Sequence, residues 1–167
     1  MISLFRAFWM VAILRMAPQA IPESRVLLVL MITGHFGIGL GLAVSTLSID
    51  GAAISALVGT AVMVAFVYLI LMMRGTRQRF VQTITALAGC EILVGLVALP
   101  ITYAFHAGGG ESGLIALLSL LIFAWNIMIA AHIFRHAFNL NSQQSVFYAV
   151  LYIFTSLIVG NMLGVAA

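Results

Sequence analysis

Five apolar stretches, each about 20 residues long and separated by short polar joints, dominate this chain. They fall at residues 26–47, 52–73, 80–103, 114–134 and 146–164. Each is long enough to cross the hydrocarbon core of a bilayer as a helix. A soluble alternative fails on composition. Of the 167 residues, 64% are hydrophobic and 7% are charged, against about 25% charged in ordinary soluble domains. A fold of this size has too little interior to hide that much apolar surface, so lipid has to solvate most of it. The joints are too short to be interdomain linkers, and residues 1–167 read as a single integral membrane domain.

The joints carry turn and cap chemistry. Ser24 follows Pro22 and can cap the first span, and Asp50-Gly51 is a tight turn with Asp50 placed to cap the second. Gly108-Gly109-Gly110, within the run from His106 to Gly113, reads as a flexible hairpin. Asn141 with Gln144 three residues on resembles a capping box before the fifth span.

Orientation follows from the arginines, which are the only Lys or Arg residues present. Arg6, Arg15 and Arg25 precede the first span, Arg74, Arg77 and Arg79 lie between the second and third, and Arg135 closes the fourth. With five spans these regions share one side, and the opposite side offers only Asp50 and Glu111. The positive-inside bias then predicts the N-terminus in the cytoplasm and the C-terminus outside. An all-Arg basic complement also points toward a GC-rich bacterial gene, and thus to the bacterial inner membrane.

Residues 1–22 form an element of their own. Phe5, Phe8, Trp9, Ala12, Ile13 and Met16 recur at helical spacing, edged by Arg6 and Arg15, while Met10, Val11 and Leu14 make the opposite face apolar too. A helix without a strongly polar face is partly buried, against its own bundle or against a partner. The expected fold is therefore an all-α membrane bundle of five transmembrane helices, preceded by an N-terminal interfacial or partner-docking helix. The first apolar run, Ala7 to Leu14, is short and closed by Arg15 and Pro18, so a cleaved leader is not expected.

Glu91 is the residue most at odds with its surroundings. It lies 11 residues beyond Phe80, about 16 Å along the helix. An ionisable group at that depth costs about 3 kcal/mol unless it is paired or protonated, which makes it a functional candidate. Its neighbours on one face, Ala88, Gly95, Ala98 and Thr102, are small and point it into the bundle. His35 sits at about 14 Å by the same rise and is the expected partner. Asn126, Thr155 and Ser156 fall at similar depth, so all of these residues form one polar layer. Such a layer can be a proton or ion relay, a polar ligand pocket, or a buried network that specifies helix packing.

Small residues every four positions suggest close packing at Thr33, Gly37, Gly41 and Ser45 on the first span and at Ser156, Gly160 and Gly164 on the fifth. These seams can serve the core or a homo-oligomer. Arg74, Arg77 and Arg79, with Trp9 and Arg15, are placed to meet lipid headgroups or a membrane-protein partner. Cys90 is single, so it forms no intrachain disulfide. His132 and His136 share a helical face, but no carboxylate or thiol joins them locally and Arg135 lies between. No metal, haem or other cofactor is therefore expected. Nor is there a Gly-x-Ser-x-Gly, an aspartate pair, a phosphate loop or a nucleic-acid partner to expect.

Some local stretches carry a resemblance. They are Arg79-Phe80-Val81-Gln82-Thr83 leading into a span that ends near Leu99-Pro100; Trp125-Asn126-Ile127 followed by His132 and Arg135; and Leu14-Arg15-Met16-Ala17-Pro18-Gln19. Together with five spans in 167 residues, they resemble small proteobacterial inner-membrane proteins of the Yip (Ypt-interacting-protein-like) family. The acidic cytoplasmic region of eukaryotic members is absent. The resemblance implies a non-enzymatic membrane organiser, adaptor or accessory subunit. The residues themselves also allow a small transporter or proton-coupled protein that uses Glu91 with His35.

Overall fold

A computed structural model describes residues 4–107 and 112–162. It is helical, with no strand among the described residues. Helix α1 (Leu4–Ala12) is followed by α2 (Arg25–Ala43), α3 (Ile49–Met73), α4 (Phe80–His106), α5 (Gly113–Ala137) and α6 (Ser142–Met162). The last five are long and apolar enough to span a membrane. Glu111, Gly108 to Gly110 and Gly164 lie outside the described residues.

The helix ends follow local chemistry. Ser24 Oγ accepts from Leu27 N at 3.3 Å and starts α2. The second span starts earlier than its apolar run suggests, because Ser48 rather than Asp50 caps it, its Oγ accepting from Gly51 N at 3.3 Å. Asp50 stands instead in the first turn, where an acid suits the helix dipole. Asn141 and Gln144 form a reciprocal capping box, with Gln144 N donating to Asn141 Oδ1 at 2.8 Å and Asn141 N to Gln144 Oε1 at 3.4 Å. This carries α6 back to Ser142. α3 ends on Gly75 at φ 70° and α5 on Asn139 at φ 53°. These are the two residue types that best tolerate the left-handed cap.

The spans close into a ring in which α3 packs on α2, α2 on α4, α4 on α5, α5 on α6 and α6 on α3. One half of the ring, the end that carries the arginines, is solid. There α4 presents an unbroken buried run from Thr83 to Cys90, mostly small residues that let neighbouring backbones approach. Phe66, Phe134 and Tyr152 interlock beside it with ring centroids 5.4–5.9 Å apart, and Phe138 stacks on Phe134 at 4.9 Å. With lipid as the solvent, this packing rather than water exclusion is what holds the helices together.

α1 lies against α4 and α5 outside the ring. Phe8 is buried on Gly89, where any Cβ would collide with the Phe8 ring. Trp125 Nε1 donates to Ala12 O at 2.9 Å, His132 Nε2 to Met16 O at 3.0 Å, and Gln82 Nε2 to Gln19 O and Ile21 O at 2.9 Å each. Leu4, Phe5 and Trp9 remain exposed on the outer face of α1. Replacing Trp125 by Phe removes the bond that holds the end of α1. It is expected to raise amide exchange across α1 about tenfold, the equivalent of one hydrogen bond. Hydrogen-exchange mass spectrometry in detergent checks this, and unchanged exchange would mean that packing alone seats the helix.

Candidate functional site: a cavity in the helix ring

The other half of the ring is not filled. A cavity of about 370 Å³ opens there, lined by residues from all five spans. Its backbone origin is visible in small residues, namely Gly39 on α2, Gly59 on α3, and Gly95 and Ala98 on α4. The larger wall residues are mainly Ile, Leu, Val and Phe. This mixture of apolar walls and a few convergent polar groups is what small-molecule sites share.

The polar groups gather where the cavity meets the solid half. Glu91 accepts from two helices. His35 Nδ1 of α2 lies 3.1 Å from Oε2, and Tyr152 OH of α6 donates to Oε1 at 3.0 Å. The side chains of Glu91 and His35 are 10% and 17% exposed, and both line the cavity. One carboxyl group therefore ties α2, α4 and α6 together. Either form of the contact, an ion pair or a neutral hydrogen bond, satisfies groups that would be costly in hydrocarbon.

Asn126 of α5 also lines the cavity, and its Oδ1 is buried without a hydrogen-bond partner among the described residues. Buried polar atoms are almost always paired, and this one is covered from the cavity by its neighbours while remaining unpaired among the described residues. Ser156, Ser119 and Thr102 add hydroxyls. Ser119 Oγ donates to Ile115 O at 2.9 Å, which leaves its lone pairs to face the cavity as acceptors.

The structure thus brings His35, Glu91, Asn126 and Ser156 to one cavity. Thr155 is not among the lining residues. It is turned away from them, and its hydroxyl donates to its own helix at Leu151 O, 2.7 Å away. Tyr152, Ser119 and Thr102 are site residues that depth counting did not select. Tyr152 had a sequence signal, since it precedes Ser156 by one helical turn and a phenol in an apolar span needs a partner.

The small-residue seam on α2 falls differently from its four-residue spacing. Gly37 faces open space, with nothing within 4 Å of the position a Cβ would take. Gly41 is in ordinary contact, a Cβ there meeting Leu99 at 3.5 Å, and its carbonyl accepts from Tyr103 OH at 3.1 Å. The close approaches lie one face round. A Cβ at Gly34 would meet Ile92 at 2.7 Å, and one at Gly95 would overlap Ile38. The helix turns its Gly34–Ile38 face to α4, because those positions meet the Glu91–Gly95 face. Gly160 lies in the last described turns of α6.

The arginines also differ in role. Arg79 turns inward, its Nη1 donating to His136 O at 2.9 Å, Ala137 O at 3.2 Å and Asn139 Oδ1 at 2.9 Å. The last carbonyls of α5 have no partner in their own helix and carry the negative end of its dipole, so they claim this guanidinium ahead of a headgroup. Arg74 lies over the Tyr148 ring at 5.8 Å. Arg77, Arg15 and Trp9 are exposed. His132 and His136 bond backbone carbonyls, and no group of three or more metal-ligating side chains occurs among the described residues. Searches with this chain match no family model, no curated protein and no solved structure.

Proposed function

We propose that this protein binds a small ligand inside its helix ring and couples binding to protonation of the Glu91–His35–Tyr152 cluster, as a small proton-linked carrier. The observation that carries the reading is the cavity itself, with the Glu91–His35 pair at 3.1 Å in its wall. A network built only to specify packing has no need of a space beside it. The working site is a bacterial inner membrane with the arginine end in the cytoplasm, so the cavity occupies the outward half. Arg25, Arg74, Arg77, Arg79 and Arg135, which flank the span ends on one side, support that orientation.

Proton flux into liposomes containing the purified protein tests the role. The Glu91→Gln variant keeps the shape and a hydrogen-bond acceptor but cannot titrate. Flux is expected to fall to the level of empty liposomes, and equal flux in wild type and variant would remove Glu91 from the mechanism.

A second reading, that of a non-catalytic adaptor or accessory subunit in a membrane complex, is favoured by one observation. The outer face of α1 offers Leu4, Phe5 and Trp9 beside Arg6. Purification in mild detergent checks it, since a chain that runs alone as a monomer is incompatible with that role.

A further inference from the structure

The chemistry of the cavity selects among ligands. We infer that its ligand is a small organic cation, a protonated amine on a short apolar body, that binds at Glu91 in exchange for one proton. The inference rests on the ligand-binding reading above and narrows it.

Charge is the first argument. Glu91 is the single acidic residue lining the cavity, and none of the seven arginines lines it. An anion would find no permanent positive charge there and would face a carboxyl group. An ammonium group finds a charged or chargeable acceptor, and transfer of an ion into an apolar site is tolerable only with such a partner. Hydrogen-bond capacity is the second argument. Ser119 lines the cavity and has already spent its proton on Ile115 O, so toward a ligand it can only accept. An ammonium group has three donors to offer it and Glu91. Size and walls are the third. At about 30 Å³ per water, the volume of about 370 Å³ equals about a dozen water-sized units. That suits an amine with a single ring or a short chain. Phe123 in the wall supplies an aromatic surface that attracts a cation.

The exchange follows from His35. Among the elements around Glu91, α2 contributes His35 and α6 contributes Tyr152, while α3 and α5 place no titratable side chain in the cavity. The adjacent Cys90 points away, its Sγ lying 3.7 Å from Phe8 O of α1. In either form of the contact, ion pair or neutral hydrogen bond, the Glu91–His35 pair holds one proton between Oε2 and Nδ1, 3.1 Å apart. An incoming ammonium takes that carboxylate oxygen. The proton that the pair shared passes to water. One positive charge enters and one proton leaves, so no net charge is added to the membrane interior.

Three probes of nearly equal shape test this on the full chain in detergent: 2-phenylethylammonium, neutral 2-phenylethanol and anionic phenylacetate. Titration calorimetry in two buffers of different ionisation heat reads both affinity and protons released. The cation is expected to bind at least about thirtyfold more tightly than either isostere, with about one proton released per cation bound. Glu91→Gln should abolish the preference. The wild-type comparison needs no variant, so a misfolded Glu91→Gln does not blunt the test. If phenylacetate or 2-phenylethanol binds as tightly as the cation, or if no proton is released, the cation assignment falls. In that case Glu91-dependent liposome flux still upholds the carrier reading. Absence of binding by all three probes, together with Glu91-independent flux, overturns both.

Discussion

Glu91→Ala is expected to destabilise the protein by about 3–5 kcal/mol, the largest effect of any single substitution in the ring. The change leaves His35 Nδ1 and Tyr152 OH without the acceptor that now lies 3.1 Å and 3.0 Å away, and it separates three helices that share one carboxyl group. Tyr152→Phe removes only one of those bonds. Single hydrogen bonds between membrane helices average about 0.6 kcal/mol and reach about 1.7 kcal/mol, so the phenylalanine variant should lose less. The lower end of the range for Glu91→Ala is favoured by the adjoining cavity, which gives the freed groups room to rearrange. Reversible unfolding of the three proteins in mixed micelles measures the order. Equal losses for Glu91→Ala and Tyr152→Phe would show that the carboxyl group is not the hub.

A pair of glycines gives the second large effect, and here the sign is informative. Gly95→Ala should cost about 1–3 kcal/mol, because the new methyl overlaps Ile38 where α2 and α4 are in closest contact. Gly37→Ala should instead stabilise by as much as about 1 kcal/mol. Nothing stands within 4 Å of its methyl, and alanine is the better helix former by that amount. The two substitutions are chemically identical, so intrinsic propensity cancels between them and the difference reports local space. The same unfolding assay reads both. If Gly37→Ala proves as costly as Gly95→Ala, the face that α2 turns to α4 is wrong.

These expectations show how far the sequence reaches. Helical rise alone brought His35, Glu91, Asn126 and Ser156 to one level, because depth along a straight helix is simple arithmetic on residue number. Azimuth is a different quantity. Thr155 and Ser156 are neighbours in depth but about 100° apart around α6, and only the packing of α6 on α3 and α5 decides that Ser156 faces the cavity. The seam on α2 is divided for the same reason, Gly41 meeting Leu99 and Tyr103 of α4 while Gly37 meets nothing within 4 Å. Thr33, Gly37, Gly41 and Ser45 form a clean stripe of small residues, yet Gly34 and Ile38 face α4. An apolar helix in lipid has no polar side to announce which face is outward. Arg79 illustrates a further limit. Its charge was legible as a side marker, whereas its use depends on the carbonyl end of α5, 57 and 58 residues away in sequence.

By itself, the sequence determined that this chain contains five helices fit for a bilayer, where most of their ends lie, and that one acid sits deep within them. Those properties are local: length, hydropathy, caps and rise depend on residues within a turn or two of each other. The ring order, the solid arginine end and the cavity beside Glu91 were decided only by tertiary structure. So were the partnership of Tyr152, the seat of α1 on Gly89 and the unpaired oxygen of Asn126. They depend on how each helix is rotated about its axis. In a chain apolar on nearly every face, shape complementarity between helices sets that rotation, and it is written in pairs of residues rather than in any one stretch.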